Sequence, residues 1–540
     1  MRRNLLYILG ILAFSALILI SFWNFNTNHY LYFSDGAKFA EVARQLSNNN
    51  GYGSYFSFFN KNVVQKEVNT VFPAKGVLPF LPFSILAFYK IFGVNDFAAI
   101  ATSSFYFLLT LVFVFLLTKK LFKNSLTGLL STLAIGSNYD LITYSINGAS
   151  ESPFIFEIIA ALYFVTLKKK WATVIVFFLI LVMYFTRPQA FIYIAGIVLY
   201  WLLINFKTKK ALFYFGAVTI FGILIDRFIL SPFSGKFFLY SIIHRGGNAV
   251  SQDSGGSGIS NSLRGFVISV PSIGELFKKL FYNFYNFYKL ISQIINPYLF
   301  MLFTIGIFRW KKEGYQDQFK IASIFMIIVT LFITAITIPL FRYIHPIVPL
   351  IYIIAVETLI WIVSQISNSK KFVIVVSSFL IFLFAVEPIL GRIFLDSRFE
   401  RKTHNVGKPA VYVKLSWILK DSTNENNTVI TNLDTWGSWY GERRTVWFPL
   451  EPKQLINPST GKIPFDAIYL TSYLIDDENY YMGDSWRLIF MNPNDPKKWT
   501  CDGCNEIAKE FTLKAVYKIS SDEDYERQTA NAILLVKKSN

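Results

Sequence analysis

Apolar residues fill most of the first 390 positions of this 540-residue chain, and they occur in long unbroken runs. A run of about 20 apolar residues is long enough to cross the hydrocarbon core of a bilayer as a helix. The pattern therefore predicts a polytopic α-helical membrane region. We place eleven transmembrane helices, at residues 5–23, 97–118, 125–143, 153–167, 171–186, 189–206, 211–230, 291–308, 319–341, 346–365 and 372–390.

The connections between these helices carry many of the basic residues that give the chain its net charge of +18. Cytoplasmic loops of membrane proteins are enriched in lysine and arginine. Arg2 and Arg3 precede the first helix, and every second connection after it holds a basic cluster. This alternation predicts a cytoplasmic N-terminus and a C-terminus outside, and it attributes the positive charge to topology rather than to nucleic-acid binding. The clusters are Lys119, Lys120 and Lys123; Lys168, Lys169 and Lys170; Lys207, Lys209 and Lys210; Arg309, Lys311 and Lys312; and Lys370 and Lys371.

Residues 77–92 form one further apolar stretch, which is short and is interrupted by Pro79 and Pro82. Counting this stretch as a span would move every later basic cluster to the outer side. We therefore predict a helix that lies in the outer membrane interface. Residues 24–96 then form one large outer loop, and residues 231–290 form the second.

Charged and turn-forming residues return at about residue 391, where the composition changes. We predict a membrane module at residues 1–390 and an extracytoplasmic soluble α/β domain at residues 391–540. Cys501 and Cys504 are expected to form a local disulfide on the oxidising side. A cluster of aromatic and basic residues in this domain either binds a sugar phosphate or belongs to the core. The predicted strands are 428–432, 445–448, 466–471, 512–519 and 531–537, with a helix at 409–420, and the cluster is Trp436, Trp439, Tyr440, Arg443, Arg444 and Trp447.

Asp35 is the most informative polar residue, because it directly follows the first predicted span and so lies at the outer membrane face. Residues 36–46 are typical of a short amphipathic helix, and Asp35 can serve as its N-cap. A carboxylate held at the membrane edge can also act as a general base or bind a cation. The two roles are compatible.

Five short motifs lie in the outer loops or at the outer ends of the predicted helices. They are Ser34-Asp35-Gly36 with the helix to Leu46, Pro79-Phe80-Leu81-Pro82 with the helix to Gly93, Ser150-Glu151-Ser152-Pro153, Thr186-Arg187-Pro188, and Arg342-Tyr343-Ile344-His345-Pro346. In their order, the set resembles the GT-C glycosyltransferases that use sugars linked to polyprenyl phosphate, such as the protein O-mannosyltransferases and the lipid A aminoarabinose transferases. The chain differs from many of these relatives at Gly36, where they have a second acidic residue, and at Pro73-Ala74-Lys75, where they have paired prolines.

The resemblance implies an enzyme in the cytoplasmic (inner) membrane that transfers a sugar from a polyprenyl-phosphate donor to a lipid, glycan or protein acceptor on the outer face. It implies a single inverting displacement in which Asp35 deprotonates or orients the acceptor hydroxyl. Cationic residues would hold the departing lipid phosphate. Glu151 would position the sugar or join Asp35 at a divalent metal cation. The implied phosphate-binding residues are Arg187 and Arg342, with Lys75 and His345 behind them.

Each of these residues also has a structural interpretation. Arg187 and Arg342 can be anchors that reach lipid headgroups, His345 can be a structural hydrogen-bonding group, Glu151 can cap a helix, and Lys75 can be a solvated loop residue. The chain itself has two alternatives: a transporter or flippase of lipid-linked substrates, and a non-catalytic scaffold. Transporters place polar groups near the midplane of the membrane, whereas the charges here gather at the outer ends of helices.

Overall fold

The computed structural model has a helical membrane region followed by a region built on a β-sheet, as the sequence predicts. Within the part of the chain described, a helix lies at each of the eleven predicted spans. The structure describes residues 2–26, 29–59, 63–64, 71–74, 76–225, 227–228, 262–263, 266–267, 273–310, 315–337, 339–394, 410–472, 483–520 and 529–538.

The membrane region contains sixteen α-helices within those described residues. They are α1 (Arg2–Asn26), α2 (Ser34–Ser47), α3 (Phe80–Phe92), α4 (Asp96–Phe122), α5 (Ser125–Gly136), α6 (Tyr139–Ser145), α7 (Glu151–Thr166), α8 (Lys170–Tyr184), α9 (Ala190–Asn205), α10 (Thr208–Ile225), α11 (Leu276–Leu290), α12 (Pro297–Phe308), α13 (Gln316–Ile336), α14 (Val348–Ile366), α15 (Lys370–Ile381) and α16 (Glu387–Phe394).

By length and composition, six helical segments among the described residues can cross a membrane. The helices α5, α8 and α9 are apolar but have only 10–17 residues. That these three helices also cross the membrane, as the count of eleven spans requires, stays a prediction. The six long helices are by themselves enough to make the chain a multi-pass membrane protein. The six segments are Leu6–Asn24, Asp96–Phe122, Thr208–Ile225, Gln316–Ile336, Phe341–Ile366 and Lys370–Phe394.

Two predicted spans are interrupted, and both breaks occur at an asparagine that starts a new helix. The span at 125–143 breaks before α6, where the Asn138 side chain accepts the Leu141 N–H at 3.1 Å. The span at 291–308 was wrong as a continuous helix, because α12 meets the preceding helical segment at an angle of 118°. There the Asn296 side chain caps α12, and Pro297 lacks the N–H that a continuing helix requires.

The apolar stretch at 77–92 forms α3, a helix of 13 residues. At 1.5 Å per residue this helix is about 20 Å long, which is short of the roughly 30 Å of a bilayer core. Gly93 ends it with a left-handed φ of 77°. The length agrees with the interpretation that this stretch does not span the membrane.

All five strands predicted in the C-terminal region are confirmed. With a sixth strand they form one sheet, whose spatial order is β2 (Phe56–Phe58), β7 (Arg444–Trp447), β6 (Thr428–Thr431), β8 (Ala467–Thr471), β10 (Thr529–Lys537) and β9 (Phe511–Ser520). The sixth strand, β2, comes from the first outer loop and pairs in parallel with β7, with Phe56 opposite Thr445. The sheet therefore crosses the predicted domain boundary at residue 390. The short strands β1 (Gly53–Ser54), β3 (Phe72–Pro73), β4 (Ser262–Leu263) and β5 (Phe266–Val267) form two separate antiparallel pairs, β1 with β3 and β4 with β5.

Helices cover the sheet, and a hydrophobic core lies between sheet and helices. Trp486 is the largest fully buried side chain among the residues that the structure describes, and its indole N–H donates to the carbonyl of Pro449 at 2.8 Å. Cys501 and Cys504 form the predicted disulfide. The helices are α17 (Val411–Ser422), α18 (Trp436–Trp439), α19 (Asp484–Met491) and α20 (Cys504–Glu510).

Candidate active site

Asp35 lies in the first turn of α2. A short connection joins α2 to the first membrane helix, α1. The N-cap of α2 is Phe33, so the interpretation of Asp35 as the capping residue was wrong. Its side chain is 39% exposed and forms an ion pair with Arg342, which lies far along the chain in the 3-10 turn before α14. The carboxylate is therefore available for contact with a ligand.

The four residues that the resemblance singled out most strongly form one continuous chain of opposite charges. Arg342 bonds Asp35 on one side and lies 3.4 Å from the Glu151 carboxylate, measured from Nε to Oε1, on the other. The same Oε1 atom is 2.5 Å from Nη1 of Arg187. Arg342 is 32% exposed, whereas Glu151 and Arg187 are almost completely buried. The cluster thus has an accessible end and a buried end.

Local sequence explains why these side chains converge. Glu151 begins α7, and Arg187 lies in the turn after α8, where the following Pro188 prevents the helix from continuing. The Ser150 hydroxyl accepts a hydrogen bond from Arg187 at 3.1 Å. The ring of Tyr343 lies within 6 Å of both guanidinium groups, which gives each a cation–π contact.

The charge on Asp35 is set by its neighbours. Burial raises the pKa of this carboxyl, but the positive charges of Arg342 and Lys38 lower it further than burial raises it, to about 2. Asp35 is therefore ionised at neutral pH. Lys38 was not predicted as a site residue, although its spacing of three residues from Asp35 on α2 puts the two side chains on neighbouring positions of one helix face.

Gly36 allows α2 to approach the loop that carries Glu151. A Cβ atom at this position would lie 2.3 Å from the backbone carbonyl oxygen of Asn147. Any side chain would force the two segments apart, which gives a physical reason for glycine where many relatives have an acidic residue.

Gly36→Ala should therefore lower the free energy of unfolding by about 2 kcal/mol and weaken any activity that needs Asp35 near Glu151, because backbone must move to admit the methyl group. Thermal unfolding of the purified chain measures the effect. Gly10→Ala is the matched control, since a Cβ there meets no atom within 4 Å. Equal stability of the two variants would contradict the close-approach argument.

The other two predicted phosphate ligands, His345 and Lys75, are not part of this charged cluster as the structure describes it. His345 is 2% exposed, and both ring nitrogens have partners: Nε2 lies 2.8 Å from Asp140 Oδ2, and Nδ1 lies 3.2 Å from the Tyr144 hydroxyl. These contacts fit the structural interpretation of His345, and its role toward phosphate stays a prediction. Lys75 lies outside the described residues.

The possible metal site also stays a prediction. Among the described residues, no group of three or more histidine, cysteine, aspartate or glutamate side chains can hold a metal ion. Asp35 and Glu151 face each other across Arg342, whose positive charge stands where a cation shared by the two carboxylates would bind. The donors among the described residues do not fit a resident metal.

The aromatic cluster of the C-terminal region is core rather than an open sugar-binding surface. Trp436, Trp439, Tyr440 and Trp447 are each at least nine-tenths buried. Of the two interpretations left open by the sequence, the structure therefore favours the core.

Apolar spanning helices, a charged cluster at the predicted outer helix ends, and an α/β region that shares a sheet with the first outer loop define the class of this chain as a multi-pass membrane protein with a mixed α/β region. Residues 75–227 match the family model of the dolichyl-phosphate-mannose-protein mannosyltransferases. This segment includes Glu151 and Arg187. The match confirms the predicted resemblance.

One solved structure with a TM-score of 0.50 agrees with the fold, and two others align at a lower score. Arabinofuranosyltransferase AftD from Mycobacteria aligns with a TM-score of 0.50 and 11% identity, over 100% of this chain and 40% of AftD. ArnT from Cupriavidus metallidurans aligns with a TM-score of 0.47, at 13% identity with undecaprenyl phosphate bound (97% of this chain, 98% of ArnT) and at 14% in the apo state (97% of each chain). A search of curated protein sequences found no match.

Proposed function

We propose that this chain is an integral membrane glycosyltransferase that moves a sugar from a polyprenyl-phosphate donor to an acceptor on the extracytoplasmic face. The observation that carries the proposal is the charged chain Asp35–Arg342–Glu151–Arg187, which lies at helix ends that the sequence predicts to be on the outer side. The family description supports the donor class, since dolichyl phosphate mannose is a sugar linked to a polyprenyl phosphate. The alternation of basic loops supports a cytoplasmic membrane location with the site outside.

The donor phosphate binds at the two arginines in this proposal. The Nε atom of Arg187 is buried and makes no hydrogen bond in the described part of the chain, whereas the Nε atom of Arg342 faces Glu151 Oε1 at 3.4 Å. A guanidinium group offers planar donors that match phosphate oxygens. Glu151, held between the two arginines, keeps both in place and compensates part of their charge.

Phosphate binding then prepares Asp35 for its task. In the resting arrangement Arg342 neutralises Asp35, and the low pKa makes this carboxylate a weak base. A donor phosphate competes for Arg342, which weakens the ion pair and raises the pKa of Asp35 toward its ordinary value. The carboxylate becomes a better base only when a donor is present.

The reaction is a single displacement at the anomeric carbon. The acceptor hydroxyl attacks this carbon while its proton passes to Asp35, and the bond between the anomeric carbon and the phosphate oxygen breaks. The lipid phosphate leaves with the bonding electron pair, and Arg187 and Arg342 stabilise its charge. Attack opposite the leaving group inverts the anomeric configuration.

The test is an assay of the purified full chain in lipid nanodiscs with a panel of polyprenyl-phosphate sugars and extracted cell-envelope acceptors. We expect release of free polyprenyl phosphate together with a mass increase of one acceptor by one sugar. The variant Lys453→Gln, which removes an exposed ion pair with Asp502, should retain the wild-type rate.

The transporter alternative predicts a different result. In sealed vesicles it would move the intact lipid-linked sugar across the membrane with no bond broken. Translocation without release of polyprenyl phosphate, for every donor in the panel, would overturn the proposed function.

A further inference from the structure

We infer that the soluble domain positions Asp35 through one short segment, residues 434–440, which we call the docking turn. The inference rests on the proposed role of Asp35. It makes Thr435 and Tyr440 positioning residues, although neither lies in the membrane module. The aromatic side chains that resemble a sugar-binding cluster in the sequence would then act by holding the base in place.

The docking turn binds the backbone just before Asp35. The Leu31 N–H donates to the Tyr440 hydroxyl at 2.7 Å, and the Leu31 carbonyl accepts from the Trp436 indole at 3.1 Å. The Thr435 hydroxyl donates to the carbonyl of Ser34, the residue next to Asp35. A connection between two helices would otherwise be free to adopt several conformations, and these bonds select one.

The docking turn also holds the far end of α2. The Arg44 guanidinium donates to the carbonyls of Ser438 and Trp439 at 2.8 and 2.9 Å, and it lies 4.7 Å from the Trp439 ring. Glu41, one turn earlier on α2, pairs with the same guanidinium. Contacts at both ends fix the rotation of α2 about its axis, and this rotation determines where Asp35 points.

A third set of contacts ties the docking turn to the membrane helices. Asp96, in the first turn of α4, accepts from the Trp439 indole at 2.6 Å and from the Tyr440 hydroxyl at 2.9 Å. Tyr440 therefore joins Leu31 to Asp96 through one hydroxyl group. The position of α2 is set relative to α4, and α4 belongs to the scaffold that carries the site.

Asp434 shows that the docking turn reaches the site itself. This residue has a left-handed φ of 50°, and its carboxylate accepts a hydrogen bond from the Thr435 N–H at 2.7 Å. Burial is the main reason that its pKa is raised to about 6, and the negative charge of Asp35 adds to the effect. The docking turn is thus close enough to Asp35 for the two carboxylates to influence each other.

The size of the expected effect follows from these contacts. Removing one hydrogen bond changes a local equilibrium by up to about tenfold. A catalytic group displaced by about 1 Å can lose on the order of a hundredfold in rate. A positioning role therefore predicts a loss in kcat with little change in the KM for the donor, because Arg187 and Arg342 are not touched.

The experiment compares Tyr440→Phe and Thr435→Val in the full-length chain, with Thr435→Ser as the conservative variant that keeps a hydroxyl. Tyr517→Phe is the control, since Tyr517 bonds Ser422 at 2.7 Å within the soluble domain. Hydrogen exchange of residues 29–37 reports the docking contacts directly. We expect exchange there to rise about tenfold in Tyr440→Phe, kcat to fall by about tenfold to a hundredfold in both variants, and Thr435→Ser and Tyr517→Phe to behave as wild type.

Three results would overturn the inference: unchanged exchange at residues 29–37, wild-type kcat in a variant whose exchange has risen, or a raised donor KM at unchanged kcat. A wild-type chain that releases no polyprenyl phosphate would instead overturn the proposed function. The exchange measurement does not depend on that function, and it then decides the inference alone.

Discussion

Asp35→Asn should lower kcat for sugar transfer by about a thousandfold, the largest loss expected from any single substitution here. A positioned general base contributes roughly 10²- to 10⁴-fold to a rate. Asparagine keeps the size of the side chain and a hydrogen bond to Arg342, but it cannot accept the proton of the acceptor hydroxyl. Donor binding should persist, because Arg187 and Arg342 remain.

The stability of the Asp35→Asn variant separates catalysis from folding. The ion pair with Arg342 is partly exposed on both sides, so its loss should change the free energy of unfolding by no more than about 1 kcal/mol. A folded-state pKa near 2 also keeps Asp35 ionised throughout the neutral range, and the stability from the pair declines only as the pH falls below the ordinary value of 3.8. No inflection of kcat/KM near neutral pH should come from Asp35.

The measurement is release of polyprenyl phosphate beside thermal unfolding of the same preparation. Asp495→Asn is the control, since it removes an exposed ion pair with Lys498 and should leave both readouts unchanged. A wild-type rate in the Asp35→Asn variant would show that another group takes the proton.

The sequence predicts those parts of this molecule that depend on local pattern. Spans such as α1 and α4 follow from run length, and strands β6 to β10 follow from short apolar runs between turns. The break at Asn296-Pro297 was also readable, because asparagine followed by proline is a common helix start. The apolar run at residues 291–308 by itself predicts a continuous span, and that prediction was wrong because the helix restarts at Pro297.

Contacts between segments that lie far apart in the sequence are harder to predict from it. Strand β2 has three residues, and only its pairing with β7 makes it a strand. The shared outer side of Asp35, Glu151, Arg187 and Arg342 followed from the topology, but their direct contact required the structure. Thr435 and Tyr440 gave no signal of a role near Asp35, because a hydroxyl that holds a distant backbone looks like any other core or surface residue.

Glu151→Gln is expected to have the second-largest effect, and it should damage folding as well as activity. Glu151 and Arg187 are 3% and 4% exposed, so the substitution leaves a buried guanidinium without its carboxylate. Removing one partner of a buried pair costs about 3–5 kcal/mol. We therefore expect a clear drop in the unfolding temperature together with loss of donor binding, in contrast to Asp35→Asn.

A matched control lies on the same helix. Glu157 is fully buried on α7, where its carboxylate accepts from the Thr186 hydroxyl at 2.6 Å, and none of the ion pairs of the described residues includes it. Glu157→Gln keeps an acceptor for Thr186 and leaves no cation unpaired, so it should be far less destabilising.

The double variant Glu151→Gln with Arg187→Met completes the argument. Replacing the stranded arginine with an apolar side chain of similar length removes the buried charge, so stability should recover by at least half. Sugar transfer should not recover, because the buried phosphate ligand is then absent. Recovery of both would contradict a role for Arg187 in donor binding, and recovery of neither would mean that the cost of Glu151→Gln does not come from the unpaired charge.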